Sequence, residues 1–319
     1  MDDLIIGKSD RLLVKRAGAL GDFVLTLPAI AALRRAFPGA HLQLIGDPRF
    51  HPLARPDQAL DHDAPGLVPL YSGSQLKPEF SAFFSGCAFS LVYAVDPDGQ
   101  LERSLRRLVA GELRVWDPRP PEGRHITDHL LEPLRQLGLP IADPLPRFGL
   151  EPAERAYAQG YWGERRLKSP LVLIHPGSGG RRKCWPLGHF LELARLCGQE
   201  GLEVLLLHGP AETDLAAQIL AHPFGRGLAC SPPGLLELAG LLESAALFVG
   251  NDSGPGHLAA ALGTPTLVLF GPTDPGIWRP PHPWARVLRA PEGRLADLEV
   301  ETVAATLGEL LNSGPTARP

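Results

Sequence analysis

The 319-residue sequence lacks the marks of several protein classes. None of its four cysteines forms a CxxC pair, and no cluster of cysteine and histidine has the spacing of a structural zinc site. No run of about 18 apolar residues occurs, so no membrane-spanning helix is predicted. A disulfide framework is not expected at this length, and free thiols fit a reducing cytosol. The sequence therefore predicts a cytoplasmic protein and leaves peripheral contact with a membrane open.

The sequence also lacks an excess of positive charge. Its 31 basic and 35 acidic residues give a formal net charge of -4, whereas nucleic-acid-binding domains present a basic face. No nucleic-acid partner is expected, although a local basic patch for an anionic substrate is compatible with this balance. Neither GxGxxG, nor GxxxxGK[ST], nor GxSxG occurs, which disfavours a dinucleotide cofactor, a P-loop and a hydrolase nucleophile elbow.

What the sequence does contain is an alternation of short apolar runs and longer helical patterns in both halves. The runs are rich in Leu, Val and Ile and are bounded by Gly, Pro or Asn, as is typical of buried parallel strands. Strands are predicted at Leu12–Lys15, Leu42–Ile45, Leu91–Val95, Leu113–Trp116, Leu171–Ile174, Val204–Leu207, Leu247–Val249 and Thr266–Phe270. Helices are predicted at Val24–Ala36, Leu101–Val109, Ile126–Leu137, Leu187–Gln199, Glu212–Ala221, Leu235–Glu243, Gly256–Leu262 and Leu298–Leu311.

Strand alternating with helix predicts an α/β protein with parallel sheets covered by helices on both faces. Because each half shows the pattern, two doubly wound, Rossmann-like domains are expected. Proline and glycine concentrate in a polar stretch between Pro144 and Pro170. The domains are therefore placed at residues 1–155 and 156–319.

The first stretch with functional side chains follows the first predicted strand and runs Arg16-Ala-Gly-Ala-Leu-Gly-Asp22. Ligands of open α/β sheets bind beyond the carboxyl ends of the strands, and the two glycines permit a tight turn. A carboxylate at Asp22 is then placed to accept a proton. Aspartate is also a favoured helix cap, and spacing alone favours that role. Whether Pro28 kinks one helix or Thr26 caps a second one stays open.

A second stretch, His175-Pro-Gly-Ser-Gly-Gly-Arg-Arg-Lys183, follows the first predicted strand of the second half. Backbone N–H groups at Gly177 and Ser178 and the positive charge of Lys183 suit a phosphate. The alternative is a surface loop with solvated charges. The apolar strand before the stretch and Trp185-Pro186 after it favour phosphate binding.

The third stretch, Asn251-Asp-Ser-Gly-Pro-Gly-His257, stands between a predicted strand and a helix of small residues. A helix N-terminus has free N–H groups and the positive end of the helix dipole, which together make an anion site. Ser253, Gly254 and Gly256 can lie against a pyrophosphate there, whereas His257 by itself is typical of a core histidine. The loop Phe270–Gly276 follows the next predicted strand at the same sheet edge.

Other acidic residues permit two interpretations. Glu212 follows a predicted strand, where a carboxylate commonly binds ribose hydroxyls, but it also fits the first turn of a helix. The pairs Asp61/Asp63 and Asp96/Asp98 are interpreted as turn residues, with acceptor contacts as the alternative for the second pair. No metal site is expected.

The predicted helix Leu101–Val109 carries Arg103, Arg106 and Arg107, which can share one face. Such a face suits an anionic ligand, because arginine presents a planar donor fork that matches phosphate and carboxylate groups. A solvated face balanced by acidic neighbours is the alternative. The sequence does not decide between the two.

Together these stretches resemble glycosyltransferase family 9, the heptosyltransferase family of the GT-B fold. They occur in family order, each after a predicted strand. The matching residues are Gly18-Ala-Leu-Gly-Asp22 with Thr26-Leu-Pro28, His175-Pro-Gly-Ser178 with Lys183-Cys-Trp-Pro186, Asn251-Asp-Ser-Gly-Pro-Gly-His257, and Phe270-Gly-Pro-Thr-Asp-Pro275.

The resemblance implies an ADP-heptose donor bound by the second domain and a lipopolysaccharide core acceptor bound by the first, across a cleft. Asp22 matches the proposed general base of the family. Arg103 and Arg107 follow a loop that is similar to the acceptor-side loop. The donor contacts are matched by Gly177, Ser178, Lys183, Glu212, Asp252, Ser253, Gly254 and His257.

The resemblance further implies an inverting displacement without a metal or other cofactor. Asp22 takes the proton of the acceptor hydroxyl, while Lys183 and the helix N-terminus at Ser253–Gly256 stabilise the leaving diphosphate. Alternatives are a GT-B enzyme that uses another nucleotide sugar or acceptor, an epimerase of the same fold, and a nucleotide-sugar-binding paralogue without activity. A Rossmann dehydrogenase is disfavoured because GxGxxG is missing.

Overall fold

Each half of the chain is built around its own parallel sheet. A computed structural model describes residues 10–167, 170–209, 212–223, 225 and 228–312. The chain divides into two compact units, Met1–Pro146 and Arg147–Pro319. This division lies ahead of the expected boundary after residue 155, and a helix at Pro152–Arg165 falls whole in the second unit.

The first unit has five parallel strands in the order β3-β2-β1-β4-β5. Its strands are β1 Arg11–Arg16, β2 His41–Gly46, β3 Gln58–Asp61, β4 Cys87–Tyr93 and β5 Glu112–Trp116. Its helices are α1 Leu20–Val24, α2 Leu27–Ala36, α3 His51–Ala54, α4 Val68–Ser72, α5 Pro78–Phe84, α6 Gln100–Arg106 and α7 Ile126–Gln136.

The second unit has six parallel strands in the order β11-β10-β9-β6-β7-β8. Counted from its own first strand, β6, this order repeats that of the first unit and adds one strand at an edge. Its strands are β6 Leu171–His175, β7 Glu203–Leu207, β8 Ala229–Cys230, β9 Leu247–Asn251, β10 Thr266–Phe270 and β11 Ala285–Arg289. Its helices are α8 Pro152–Arg165, α9 Leu187–Gln199, α10 Thr213–Ala221, α11 Leu235–Ser244, α12 Gly254–Ala261, α13 Pro275–Trp278 and α14 Val300–Asn312.

The apolar strand residues explain why helices cover the sheets. In the second unit, alternate residues such as Val172 and Ile174 pack with Phe190 of α9 and Val303 of α14 in one buried cluster. In the first unit, Leu13 of β1 packs in a comparable cluster with residues of α4, α5 and α6. These parallel α/β units confirm the predicted fold class. Among the described helices, none combines the length and apolar character needed to cross a bilayer.

The chain order of the strands reverses at one point in each sheet. In the first unit the reversal lies between β1 and β4, and in the second unit it lies between β6 and β9. The crevice at the carboxyl ends of such a strand pair is where open α/β sheets bind ligands. The loops after β1, β6 and β9 are the three stretches that sequence analysis singled out.

Two glycines test how tightly the elements pack. A Cβ at Gly160, in exposed helix α8, would meet no atom within 4 Å, so Gly160→Ala should raise the free energy of unfolding by about 0.5–1 kcal/mol. A Cβ at Gly111 would lie 1.9 Å from the backbone oxygen of Ala88 in β4. Gly111→Ala should therefore lower the free energy of unfolding by about 1–3 kcal/mol. Urea denaturation measures both changes. If Gly111→Ala left the free energy of unfolding unchanged, the close approach of Gly111 to Ala88 of β4 would be contradicted.

Candidate active site

A buried amide joins the loops that follow β6 and β9. Asn251, the last residue of β9, is fully buried. Its Nδ2 donates to the backbone oxygen of Pro176 at 2.7 Å, and its Oδ1 accepts from the backbone N–H of Trp185 at 2.9 Å. One side chain thus fixes both ends of the loop between β6 and α9.

Trp185 anchors the returning end of this loop in the core. The residue is 1% exposed, its indole N–H donates to the backbone oxygen of Leu298 at 2.9 Å, and its ring meets that of Phe190 edge to face at 4.8 Å. Lys183 lies two residues before this anchor, in a short 3₁₀ turn at Arg181–Lys183. The lysine therefore projects from a fixed point.

Three of the predicted donor residues lie in hydrogen-bond contact. The Lys183 ammonium donates to Oδ2 of Asp252 at 2.9 Å, and the Ser178 hydroxyl donates to the backbone oxygen of Asp252 at 2.9 Å. The Thr273 hydroxyl also donates to Oδ2 of Asp252, at 2.8 Å. The side chain of Asp252 is only 8% exposed, whereas that of Lys183 is 37% exposed. The pair therefore presents a cation, not a carboxylate, to the solvent.

Sequence analysis did not assign Thr273 to the site, although its loop was placed at the same sheet edge. The signal that could have identified Thr273 is a hydroxyl group shortly after the carboxyl end of β10, the next strand of the parallel sheet. The contact itself joins residues 21 positions apart and depends on the pairing of β9 with β10.

A second polar cluster forms around His175, the last residue of β6, which sequence analysis also left out of the site. Its ring is 6% exposed and lies between Glu212 and Ser253. The distance from Nε2 to Oε2 of Glu212 is 3.3 Å, and that from Nδ1 to Oγ of Ser253 is 3.4 Å. The backbone N–H of Gly209 donates to the same Glu212 oxygen at 2.7 Å.

These contacts set the charge of Glu212. Burial alone would raise the pKa of its carboxyl group, but the hydrogen bond and positive field of His175 and the N–H of Gly209 outweigh burial and lower that pKa. A charged carboxylate is the form that accepts hydrogen bonds from ribose hydroxyls. The predicted helix began at Glu212, but the structure starts α10 at Thr213 and makes Glu212 its N-cap residue, so Glu212 lies just before the first turn and not in it.

Gly177 packs directly against the carboxylate of Glu212. A Cβ at this position would stand 1.7 Å from Oε1 of Glu212 and 3.0 Å from Nε2 of His175. Any larger residue would therefore displace the carboxylate, and glycine is required here for close approach rather than for an unusual backbone angle.

The N-terminus of α12 completes this part of the site. Ser253 is the N-cap residue, but its hydroxyl makes no cap hydrogen bond to the helix, and the first turn carries no acidic residue. Gly254 begins the helix, and His257 is buried on it at 6% exposure. The first turn therefore lacks a competing side-chain anion at the positive end of the helix dipole.

In the first unit, Asp22 has cap geometry and also keeps its carboxylate in contact with solvent. It occupies the third position of α1 and accepts the backbone N–H of Ala19 at 3.0 Å, which is cap geometry. Its Oδ1 also accepts from Nη2 of Arg16 at 3.0 Å. The side chain of Arg16 is 5% exposed and that of Asp22 is 34% exposed, so this pair presents its carboxylate to solvent. Burial lowers the pKa of the Arg16 guanidinium, against the opposing effects of Asp22 and Tyr93.

The turn that carries Asp22 depends on Gly18. This residue has φ of +123°, and a Cβ there would lie 2.7 Å from Oδ2 of Asp22. The question left open around Pro28 is answered by a second helix, α2, which starts at Leu27 and holds Pro28 in its first turn. The Thr26 hydroxyl does not cap that helix but donates to the backbone oxygen of Asp22 at 2.9 Å.

The acceptor-side loop after β4 has a local structure of its own. Asp96 accepts the backbone N–H groups of Leu101 at 3.0 Å and Glu102 at 2.9 Å, so it satisfies the first turn of α6. The Arg103 guanidinium donates to the backbone oxygen of Asp98 at 2.8 Å. Arg103 is exposed and fixed in orientation.

The arginine helix is shorter than the sequence predicts. It ends at Arg106, and Arg107 follows as an exposed C-cap residue. Arg106 pairs with Glu102 at 3.2 Å, so part of this surface is neutralised within the helix.

The predicted turn at Asp61 and Asp63 is also present, since the backbone N–H of Asp63 donates to Oδ1 of Asp61 at 2.9 Å.

Fold and site together define a class of protein: an α/β protein with two Rossmann-like units, one of which presents an exposed lysine and an uncapped helix N-terminus, groups that suit a phosphate, at its switch point. Residues 119–307 match the model of glycosyltransferase family 9 (heptosyltransferase). Because this match covers more than half of the sequence, the chain belongs to glycosyltransferase family 9.

Individual relatives agree with this family. The chain is 35% identical over 175 residues to lipopolysaccharide heptosyltransferase 3 of Escherichia coli K12, an alignment that spans 50% of this chain and 48% of that relative. It is 26% identical over 316 residues to lipopolysaccharide heptosyltransferase 1 of Salmonella typhimurium, covering 92% of this chain and 98% of that one. The structure of E. coli heptosyltransferase WaaC with ADP aligns with a TM-score of 0.71 at 21% identity, over 94% of this chain and 99% of that one. This likeness confirms the expected GT-B fold.

The lowered pKa of Glu212 predicts how stability depends on pH. Its ordinary value is 4.5, and the folded value is lower, so the carboxylate contributes stability above pH 4.5 that is lost as pH falls through the folded pKa. The wild-type protein should therefore lose more stability than Glu212→Gln when urea unfolding is repeated from about pH 6 to about pH 3. Glu164→Gln, at an exposed position of α8, controls for the amide substitution. Parallel pH curves for wild type and Glu212→Gln would contradict the interaction with His175.

Proposed function

We propose that this glycosyltransferase transfers a heptose from ADP-heptose to a lipopolysaccharide core acceptor, with inversion at the anomeric carbon. The names of its relatives support the donor and acceptor, and the exposed ammonium of Lys183 beside the open N-terminus of α12 is the observation that carries the proposal. In this proposal the second unit binds the donor and the first unit binds the acceptor. The enzyme works in the cytoplasm, in peripheral contact with the inner membrane that carries its acceptor.

The diphosphate of the donor binds between the loops after β6 and β9. Lys183 contributes a point charge, and Ser178 and the first turn of α12 from Gly254 contribute hydrogen-bond donors. Asp252 is nearly buried, so its role is to orient Lys183 rather than to meet the phosphates. Gly177 leaves the room that this arrangement needs.

The nucleoside and the sugar occupy the neighbouring positions of the same unit. Glu212 accepts hydrogen bonds from the ribose hydroxyls, which its lowered pKa favours by keeping the carboxylate charged. Ser253 connects the two polar clusters because it lies beside His175 and directly follows Asp252, as the N-cap residue of α12. His257 belongs to the donor site through this helix.

Catalysis combines a base with charge stabilisation. Asp22 accepts the proton of the acceptor hydroxyl as the oxygen attacks the anomeric carbon, and the bond to the diphosphate breaks. The buried guanidinium of Arg16 pairs with Asp22 and holds its carboxylate in one orientation. The leaving diphosphate gains negative charge, which Lys183 and the α12 N-terminus stabilise in the proposed mechanism without a metal ion.

Arg103 and Arg107 are the proposed acceptor contacts on α6. The fork of Arg103 is held by Asp98 and by Oε1 of Gln100 at 3.2 Å, which orients it for an anionic group. A direct test of the whole proposal is transfer from ADP-heptose to defined core acceptors, with UDP- and GDP-sugars in parallel. Turnover of another nucleotide sugar alone would replace the donor assignment, and donor binding without turnover would indicate a paralogue without activity.

Asp22→Asn should lower kcat by about 10²–10⁴-fold, because an amide cannot accept the proton. Affinity for ADP, measured by calorimetry, should stay unchanged. The control is Asp128→Asn, which removes another aspartate–arginine pair of the first unit, the one with Arg135 at 2.9 Å. If Asp22→Asn retained most of its activity, Asp22 would not be the base, and its role would be that of a helix cap.

Lys183→Met should weaken ADP binding by about 1.5–3 kcal/mol, the usual cost of losing a charge-assisted hydrogen bond. EDTA should leave the rate of transfer unchanged. Arg195→Met, at a surface pair with Glu192, provides the control for loss of a positive charge. Inhibition by EDTA that a divalent cation reverses would contradict the metal-free mechanism.

A further inference from the structure

Lys15 is a buried lysine without an anionic partner among the described residues. The residue stands next to the end of β1 and is 5% exposed. Within the described part of the chain, its ammonium group makes neither a hydrogen bond nor an ion pair, and its one polar contact is with the Tyr71 ring, whose centroid lies 5.9 Å away. Lysines are rarely buried this far unless they are paired.

The position of Lys15 in β1 shows where its side chain runs. Lys15 pairs in register with Ile45 of β2 and Val92 of β4, and these two residues belong to the apolar cluster that also contains Leu13. Residues two apart on a strand share a face, so the lysine stem lies over this cluster. Its ammonium then reaches Tyr71 of α4, which is 49% exposed.

The same strand end also carries the proposed base. Arg16, the next residue, points to the opposite face and holds Asp22. Lys15 and Arg16 therefore stand side by side at the switch point between β1 and β4, where a ligand of the first unit is expected. A molecule that reaches Asp22 approaches the strand end that presents Lys15.

The contact with Tyr71 does not balance the charge of Lys15. An exposed aromatic ring attracts a cation only weakly. Nζ of Lys15 is not one of the fully buried polar atoms that lack a hydrogen bond among the described residues, so the unpaired ammonium keeps contact with solvent. Arg16 in the same strand shows the paired case, because it is equally buried and has Asp22 as its partner. An anionic ligand that reaches this strand end would therefore meet Lys15 without a competing carboxylate among the described residues.

We propose that Lys15 and Tyr71 form a subsite for an anionic group, a phosphate or a carboxylate, of the sugar acceptor. The ammonium pairs with the anion, and the tyrosine ring packs against the sugar that carries it. This subsite rests on the proposed function only for the identity of the ligand. It is separate from the arginines of α6, because it is built on β1 and α4.

The first measurement separates a ligand-binding lysine from a structural one. Lys15→Met keeps the length and apolar character of the stem and removes the charge. If the lysine serves a ligand, the thermal midpoint of unliganded Lys15→Met should equal or exceed that of the wild type, because the substitution keeps the apolar stem and breaks no hydrogen bond or ion pair with the described residues. Lys77→Met, at an exposed position before α5, is the matched control. A midpoint several degrees below that of the control would show that Lys15 is held by the chain itself and would overturn the proposal.

The second measurement tests anion binding without turnover. With ADP present throughout, the midpoint of the wild type should rise with glucose 6-phosphate or with glucuronate, but not with glucose. A response to only one of the two charged sugars identifies the anion as phosphate or carboxylate. Lys15→Met should need at least about tenfold more of that sugar for the same rise, whereas Lys77→Met should match the wild type. Equal responses of wild type and Lys15→Met, or none in either, would overturn the subsite.

Kinetics then distinguish failure of the subsite from failure of the proposed function. With a charged acceptor, Lys15→Met should raise KM for the acceptor by about tenfold and leave KM for the nucleotide sugar unchanged. With an acceptor that lacks the charged group, wild type and variant should be equal. If the wild type transfers sugar and the variant has the same acceptor KM, the subsite is wrong. If the wild type transfers no sugar from any nucleotide donor, the proposed function is wrong, and the binding measurement still decides on the subsite.

Discussion

The donor side of the protein depends on the buried amide of Asn251. The β6–α9 loop contains little regular structure, so its position is fixed only where it is attached. Asn251 attaches it at both ends, through the oxygen of Pro176 and the N–H of Trp185. Without this amide, two buried backbone groups would lose their partners, at a cost of about 1–3 kcal/mol each. Lys183 would then project from a loop held only by the Ser178 hydroxyl and the anchored ring of Trp185.

Much of this architecture could be predicted from the sequence, and most of the missed elements are edge strands or short helices. The exception is the 14-residue helix α8, in which Ala158 is the only buried residue, so it shows little apolar periodicity. The predicted strands were runs of buried Leu, Val and Ile, and the structure contains all of them. The strands that were missed, β3, β8 and β11, are edge strands whose residues are mostly half-buried or exposed. An edge strand needs no continuous apolar run, because only one side of it pairs with the sheet. The short helices α3, α4, α5 and α13 carry too few turns to show a helical period.

The site was predictable to the level of loops but not of contacts. The three stretches after β1, β6 and β9 were found because ligand-binding loops of parallel sheets follow strand ends. The contact of His175 with Glu212 joins residues 37 positions apart, and its existence depends on the pairing of β6 with β7. No spacing rule contains that information. The same limit applies to α6, whose predicted extent reached Val109, although the helix ends at Arg106 and Arg107 caps it.

The two units use the same kind of ion pair with opposite exposure. In the first unit the cation is buried and the carboxylate faces solvent, with side chains of Arg16 and Asp22 exposed by 5% and 34%. In the second unit the carboxylate is buried and the cation faces solvent, with Asp252 at 8% and Lys183 at 37%. A buried partner holds the outer group in one orientation, and removing the outer group would leave a buried charge without its partner. The same strand order therefore presents a carboxylate at one switch point and a cation at the other, and this difference supports the proposal that the first unit binds the acceptor and the second unit binds the donor.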